Sequence, residues 1–139
     1  MSNLDLFDLA AGEYGWSAAF PPGSPCLFGK EISLEIHTRM TPNDPPTLPP
    51  ISASQASLVD SIIPVLPSLV QRVEIELEAY SKEFNPEFQK VISHPHVWLN
   101  SENDDGLSWT FVVERSDAPD FGYHAEFKGT EFVELWAGD

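Results

Sequence analysis

Basic residues are scarce. Seven lysines and arginines face 22 aspartates and glutamates across 139 residues, a formal charge of −15 at pH 7. A surface of that sign repels phosphate backbones and anionic lipids, which argues against nucleic-acid or membrane binding through a basic patch. Cysteine is nearly absent as well. Cys26 stands alone beside Pro25 with no CxxC pattern near it, so no intramolecular disulfide is available, and a free thiol fits a reducing compartment. The N-terminus lacks the basic start and apolar run of a signal peptide. No apolar stretch approaches the ~20 residues that span a bilayer. These features together predict a cytoplasmic protein of bacterial type.

Motifs that carry chemistry are also missing. No GxSxG elbow is present, and Cys26 has no neighbouring histidine. The eight glycines are scattered singly, so no loop can cradle a phosphate. Carboxylate pairs are plentiful, but 22 acids pair by chance. The run 100–106 resembles a calcium loop only in its middle. With Gly106 in the sixth position, Ser101 falls where the first Asp belongs and Val112 where the bidentate Glu belongs. An enzyme without a recognisable motif stays open as an alternative, and no cofactor is expected.

What is present is apolar material: 42% hydrophobic residues, with nine Phe and four Trp. That supply is enough for one core in a chain of single-domain length, spanning residues 1–139. Residues 1–12 show no decisive pattern. Tyr14, Trp16, Ala18 and Phe20 alternate as one face of a strand, and the cluster 21–25 ends it. Residues 31–37 alternate strictly, with Ile32, Leu34 and Ile36 on one side and Glu31, Ser33, Glu35 and His37 on the other. Half of residues 41–50 are proline, which makes that stretch a connector within the domain.

A helix follows, capped by Ser52 or Ser54, with an apolar stripe at Leu58, Ile62, Leu66, Leu69, Val70, Val73, Leu77 and Tyr80. Pro64 and Pro67 predict a break, with a first helix ending near Ile63 and a second starting near Pro67. Its acids Glu74, Glu76 and Glu78 read as a solvated face, with Arg72–Glu76 and Glu78–Lys82 at pairing distance. A helical turn through Phe88, Val91 and Ile92 precedes further strands at 97–99, 107–114, 122–127 and 130–137. Asp105-Gly106 and Lys128-Gly129 supply hairpin turns. The expected fold is α+β: a single antiparallel sheet of five or six strands with a broken helix packed on one face, in the order ββ-α-ββββ.

Two constellations stand out as sites. In an extended chain His94 and His96 flank Pro95 on one side, as paired metal ligands do, and His124, His37, Asp104 or Asp105 are the residues that might join them. Sequence spacing supplies no third and fourth ligand, so the reading is that His94, His96 and His124 hold no metal. The second constellation is acidic: residues 101–139 carry ten acids against Arg115 and Lys128. Within it Glu102, Asp104, Asp105, Glu131 and Glu134, with Trp136, form the candidate surface for a basic protein partner. Trp16, Trp98, Trp109 and Trp136 all read as core residues. Trp136 shares a face with Phe132 and Glu134 on a strand apolar on both sides, which marks either a central strand or an interface.

Tyr14-Gly15-Trp16, a strand after Gly29, Gln55 opening a helix that ends at Tyr80, Trp109-Thr110-Phe111, and Phe127-Lys128-Gly129 with Ala137-Gly138-Asp139 at the end form a spaced set. The set resembles a group of small uncharacterised bacterial domains that includes immunity proteins of polymorphic toxin systems. The resemblance implies a non-enzymatic domain that occludes a basic toxin, and it transfers no functional residue. A small-ligand or metal-binding domain is the alternative.

Overall fold

The computed structural model describes residues 3–84, 87–100 and 106–138, without the side chains of 81–84 and 88. After a short 3₁₀ turn at Asn3–Leu6 come β1 (Ala10–Ala11), β2 (Gly15–Ala19) and β3 (Ser33–His37), paired antiparallel in succession, the last two built from alternating apolar residues. A second antiparallel meander follows the helices: β4 (Ile92–Leu99), β5 (Ser108–Arg115), β6 (Ala118–Lys128) and β7 (Glu131–Gly138). The two meanders join through β3 and β4, which run parallel, with Leu34 opposite Val97 and Ile36 opposite Leu99.

The expected antiparallel sheet of five or six strands is therefore corrected to one mixed sheet of seven, in sequence order, with elements arranged βββ-α-ββββ. Parallel neighbours need a long crossover, usually a helix, and the helical segment is that crossover. A single strand-helix-strand unit flanked by hairpins leaves no repeating α/β rhythm in the sequence to read. The additional strand, β1, is two alanines long and carries no periodic signal.

The helical segment needs a second correction. Here α1 (Ala53–Ile62) passes through a 3₁₀ turn at Ile63–Val65 into α2 (Leu66–Phe84). Ile62, Ile63 and Leu66 keep right-handed helical dihedrals (φ −76°, −53° and −53°), so Ala53–Tyr80 is one 28-residue helix. The proline pair tightens one turn instead of breaking the rod, because Pro64 opens the 3₁₀ turn, where a missing N–H costs least. A short helix, α3 (Phe88–Val91), leads into β4.

By length and composition Ala53–Tyr80 matches a membrane span, with a mean hydropathy of 1.3 over 18 residues, contrary to the expectation that no stretch comes close. In the fold its apolar stripe packs on the sheet. Leu58, Ile62, Leu66, Val73 and Leu77 share one buried cluster with Leu34, Ile36, Val97, Phe111 and Val113, each 4% exposed or less. Full burial of such a side chain is worth about 1.5–3 kcal/mol, so this layer carries most of the fold's stabilisation. On the helix's outer side Arg72 and Glu76 pair at 2.9 Å. Glu74 departs from the solvated reading by accepting from the Phe28 N–H at 2.8 Å, which ties the helix to the β2–β3 loop.

The proline-rich connector crosses from β3 to α1, and the N-terminal meander anchors it. Trp16 Nε1 donates to the Pro49 carbonyl (3.0 Å), and Arg39 bridges the carbonyls of Glu13 (2.6 Å) and Pro45 (2.8 Å). Ser52 and Gln55 form a reciprocal capping box at the start of α1. The buried Gln55 side chain also donates to the His37 carbonyl at the end of β3 (2.9 Å). Ser52→Ala should cost about 1 kcal/mol in urea unfolding. Gln55→Leu should cost more, about 2–3 kcal/mol, because it also strands the His37 carbonyl. Equal losses would show that the strand-to-helix bond contributes nothing.

Candidate functional site

With period two, the side chains alternate with those that meet the helix and form a second face. On it stand Glu35 and His37 of β3, His96 and Trp98 of β4, Thr110, Val112 and Glu114 of β5, His124 and Glu126 of β6, and Glu134 and Trp136 of β7. Val112 is buried yet lies outside the main core cluster, as expected of the far side of the sheet. His94 joins this face through a bulge. The β4–β5 register slips between Ser93 and His96, and His94 adopts φ 46°. All four histidines of the chain thus gather on one surface.

At the β3–β4 seam Glu35 reaches both bulge histidines. His94 Nε2 donates to Glu35 Oε2 at 2.9 Å, and His96 Nε2 lies 3.4 Å from the same oxygen. Glu114 approaches from β5, 3.8 Å from His94 Nε2 and 4.0 Å from His96 Nδ1. The two imidazole centroids are 4.5 Å apart. His96 Nδ1 donates to the His94 carbonyl (2.9 Å), which fixes the tautomer and turns the Nε2 lone pair toward Glu35. Burial, the largest influence, lowers the His96 pKa against the opposing pull of Glu35, so the ring is neutral at pH 7. Burial lowers that of His37 in the same way. Glu35, His94 and His96 offer ligand atoms within 4.8 Å of one another.

His124 does not belong to this cluster. It sits two strands from His96, across Val112, and stacks on Trp136 at 3.9 Å between centroids with the rings 13° apart. His37 is also separate, stacked with Tyr14 (5.5 Å) and edge-on to Trp98 (5.5 Å). Glu35 stands beside both bulge histidines, and it is not among the residues that the sequence pairs with them. Its only signal was its place on the polar side of a strictly alternating strand. Asp104 and Asp105, with Glu102, lie outside the described residues.

Of the expected acidic surface, Glu134 and Trp136 share the open face, and Glu131 pairs in register with Lys128 at the β6–β7 turn. The core reading of Trp136 is corrected: β7 is an edge strand and Trp136 is 40% exposed. The shared face of Trp136 and Phe132 is corrected too. A register shift in β6–β7 sends Phe132 to the core side, against Phe127 at 5.7 Å and under the Arg72 guanidinium at 4.6 Å. Trp109 is buried and stacks on Phe127, while Trp16 and Trp98 are half-buried.

Besides a depression of about 370 Å³ beside Ser17, Ser33, Glu35 and His94, two more cut the open face. One, of about 290 Å³, lies beside His96 and His124 over Gly122 and Gly138, a cross-strand pair with no side chains to fill it. The other, of about 350 Å³, lies between Trp98, Thr110, Glu126, Glu134 and Trp136. In this groove Glu126 and Glu134 stand directly opposite each other, and Thr110 Oγ1 donates to Glu126 at 2.5 Å. Trp98 borders both depressions, and its buried indole N–H has no partner among the described residues.

Like charges directly opposite on a sheet repel by a few tenths of a kcal/mol or more. Glu134→Gln should therefore raise stability slightly at low salt, and the gain should shrink in 1 M salt as screening shortens to about 3 Å. A loss of stability in thermal unfolding would show that the Glu126–Glu134 pair is structurally favourable. No protein-family model, no curated protein and no solved structure matches this chain.

Proposed function

We propose that this domain is a non-enzymatic binding protein whose open sheet face takes a basic protein surface, in the manner of an immunity protein covering a toxin. The observation that carries this reading is the groove between Trp98 and Trp136. Its two opposed carboxylates, Glu126 and Glu134, lie beside indole rings. Carboxylates beside aromatic faces suit a guanidinium or ammonium group, which gains ion pairing and cation–π attraction together. An exposed tryptophan in such a groove is the residue type that most often anchors an interface.

Charge supports the choice of partner. Neighbouring strands lie about 4.8 Å apart, so Glu126 and its cross-strand neighbour Glu134 act together within a Debye length of about 8 Å, as do Glu35 and Glu114, which both approach His94. A clustered acidic field raises association rates with a basic partner by roughly ten- to a thousandfold, and salt removes that gain.

The test is pull-down of a partner from the native host, followed by association and dissociation rates at graded salt. Glu126→Lys with Glu134→Lys should slow association and flatten its salt dependence. Trp136→Ala should chiefly speed dissociation, by about tenfold or more. An on-rate indifferent to salt, or a partner with a neutral surface, would mean that the charge serves solubility alone.

A further inference from the structure

From the seam between β3 and β4 we infer a second property, independent of the partner groove: Glu35, His94 and His96 form a binding site for a divalent transition-metal ion of the zinc class. His96 Nδ1 faces a carbonyl oxygen at 2.9 Å, and a carbonyl only accepts, so Nδ1 carries the hydrogen. Nε2 is then the nitrogen that can coordinate, and it stands 3.4 Å from a carboxylate oxygen of Glu35. Tetrahedral zinc ligands at about 2.0–2.1 Å from the ion stand about 3.3–3.4 Å apart, which is the spacing of this pair.

His94 supplies the third donor. Its Nε2 lies 2.9 Å from the same Glu35 oxygen, and the three ligand atoms fall within 4.8 Å of one another. Coordination requires His94 to shift its proton from Nε2 to Nδ1, a change of tautomer with no net proton release. The surroundings of His96 match those of a metal-bound histidine, because its non-ligating nitrogen is held by a carbonyl. Two imidazoles and one carboxylate select zinc, and the neighbouring late first-row ions, over calcium or magnesium, which take oxygen ligands. His96 closes the site from within, while His94, about half exposed, leaves coordination positions toward solvent.

The backbone supports the same reading. His94 holds a positive φ of 46° at a bulge, a conformation that costs a side-chain-bearing residue about 1–3 kcal/mol. That geometry brings both rings and the His94 carbonyl to one point.

Calorimetric titration of the chelator-treated full chain with zinc chloride, in a large excess of magnesium to occupy exposed carboxylates, tests the site. Binding of one ion per chain in the micromolar range or tighter is expected. His94→Ala and Glu35→Gln should each weaken it by at least about tenfold, while His124→Gln leaves it unchanged. His94 is exposed enough for its variant to fold, and circular dichroism checks that it does. Cobalt supplies a second readout, since its visible absorption reports the nitrogen ligands directly and should fade in the same two variants. Absence of stoichiometric zinc binding in magnesium overturns the inference. So does binding that survives both substitutions, or that falls equally in His124→Gln.

Discussion

The parallel pairing of β3 with β4 is the constraint on which the rest of the structure depends. It fuses two antiparallel meanders into one sheet, and it obliges the intervening chain to cross a face of that sheet as a helix. Crossing buries the apolar stripe of Ala53–Tyr80 and closes the core on one side. The same pairing sets Glu35 beside the His94–His96 bulge, more than fifty residues away in the chain. One hydrogen bond, from Gln55 to the His37 carbonyl, joins the end of β3 to the start of the crossover. The register of the seam and the entry of the helix are therefore set together.

The two faces of the sheet obey different physics. Beneath the helix, Phe111, Phe127, Leu34 and Ile36 are excluded from water and their contribution scales with apolar area. On the other face polar groups are drawn close enough to interact but are only partly desolvated. His96 and Thr110 are buried there, held by the His94 carbonyl and by Glu126 respectively. Tyr14, His37, Trp98, His124 and Trp136 add ring contacts between strands. This face is a laterally packed polar layer, and its groups keep unused hydrogen-bonding and coordinating capacity. The open edge at β7 is guarded by Glu131, Glu134 and a register shift, which discourage a second sheet from pairing there.

Local patterns in the chain were legible to the extent that they are local. Strict alternation across residues 31–37 marks β3 and its two faces, and the 3.6-residue stripe from Leu58 to Leu77 marks the buried side of the helix. Ser52 is readable as a cap, and Arg72–Glu76 as a four-residue pair. Strand direction was not legible, because parallel and antiparallel strands share the same period and a single crossover leaves no repeat. The proline pair misled, since the cost of proline inside a helix is assessed against the α geometry and a 3₁₀ turn relieves it. The bulges at His94 and Phe132 were invisible for a similar reason: one inserted residue shifts every later side chain to the opposite face. That is why Phe132 was assigned to the face of Trp136. His94 and His96 could be paired from sequence, while Glu35 could join them only once the seam was known.

Unfavourable local terms collect on the open face and are nearly absent from the core. Glu126 and Glu134 repel across β6 and β7, His94 holds a costly backbone conformation, and Trp98 buries a donor that has no partner among the described residues. Each is comparable at most to the burial of one leucine, and the many side chains buried under the helix offset all three. Their clustering is harder to ascribe to chance. A sequence selected for stability alone would replace Glu134 and relax the bulge, and neither change would disturb the helix-side core. The positions of the strain also separate. The carboxylate pair and the Trp98 donor border the wider groove, whereas the backbone strain lies at the β3–β4 seam. A positive centre would relieve the carboxylate repulsion in the groove, and the deficit of basic residues across the chain leaves few internal cations to provide one.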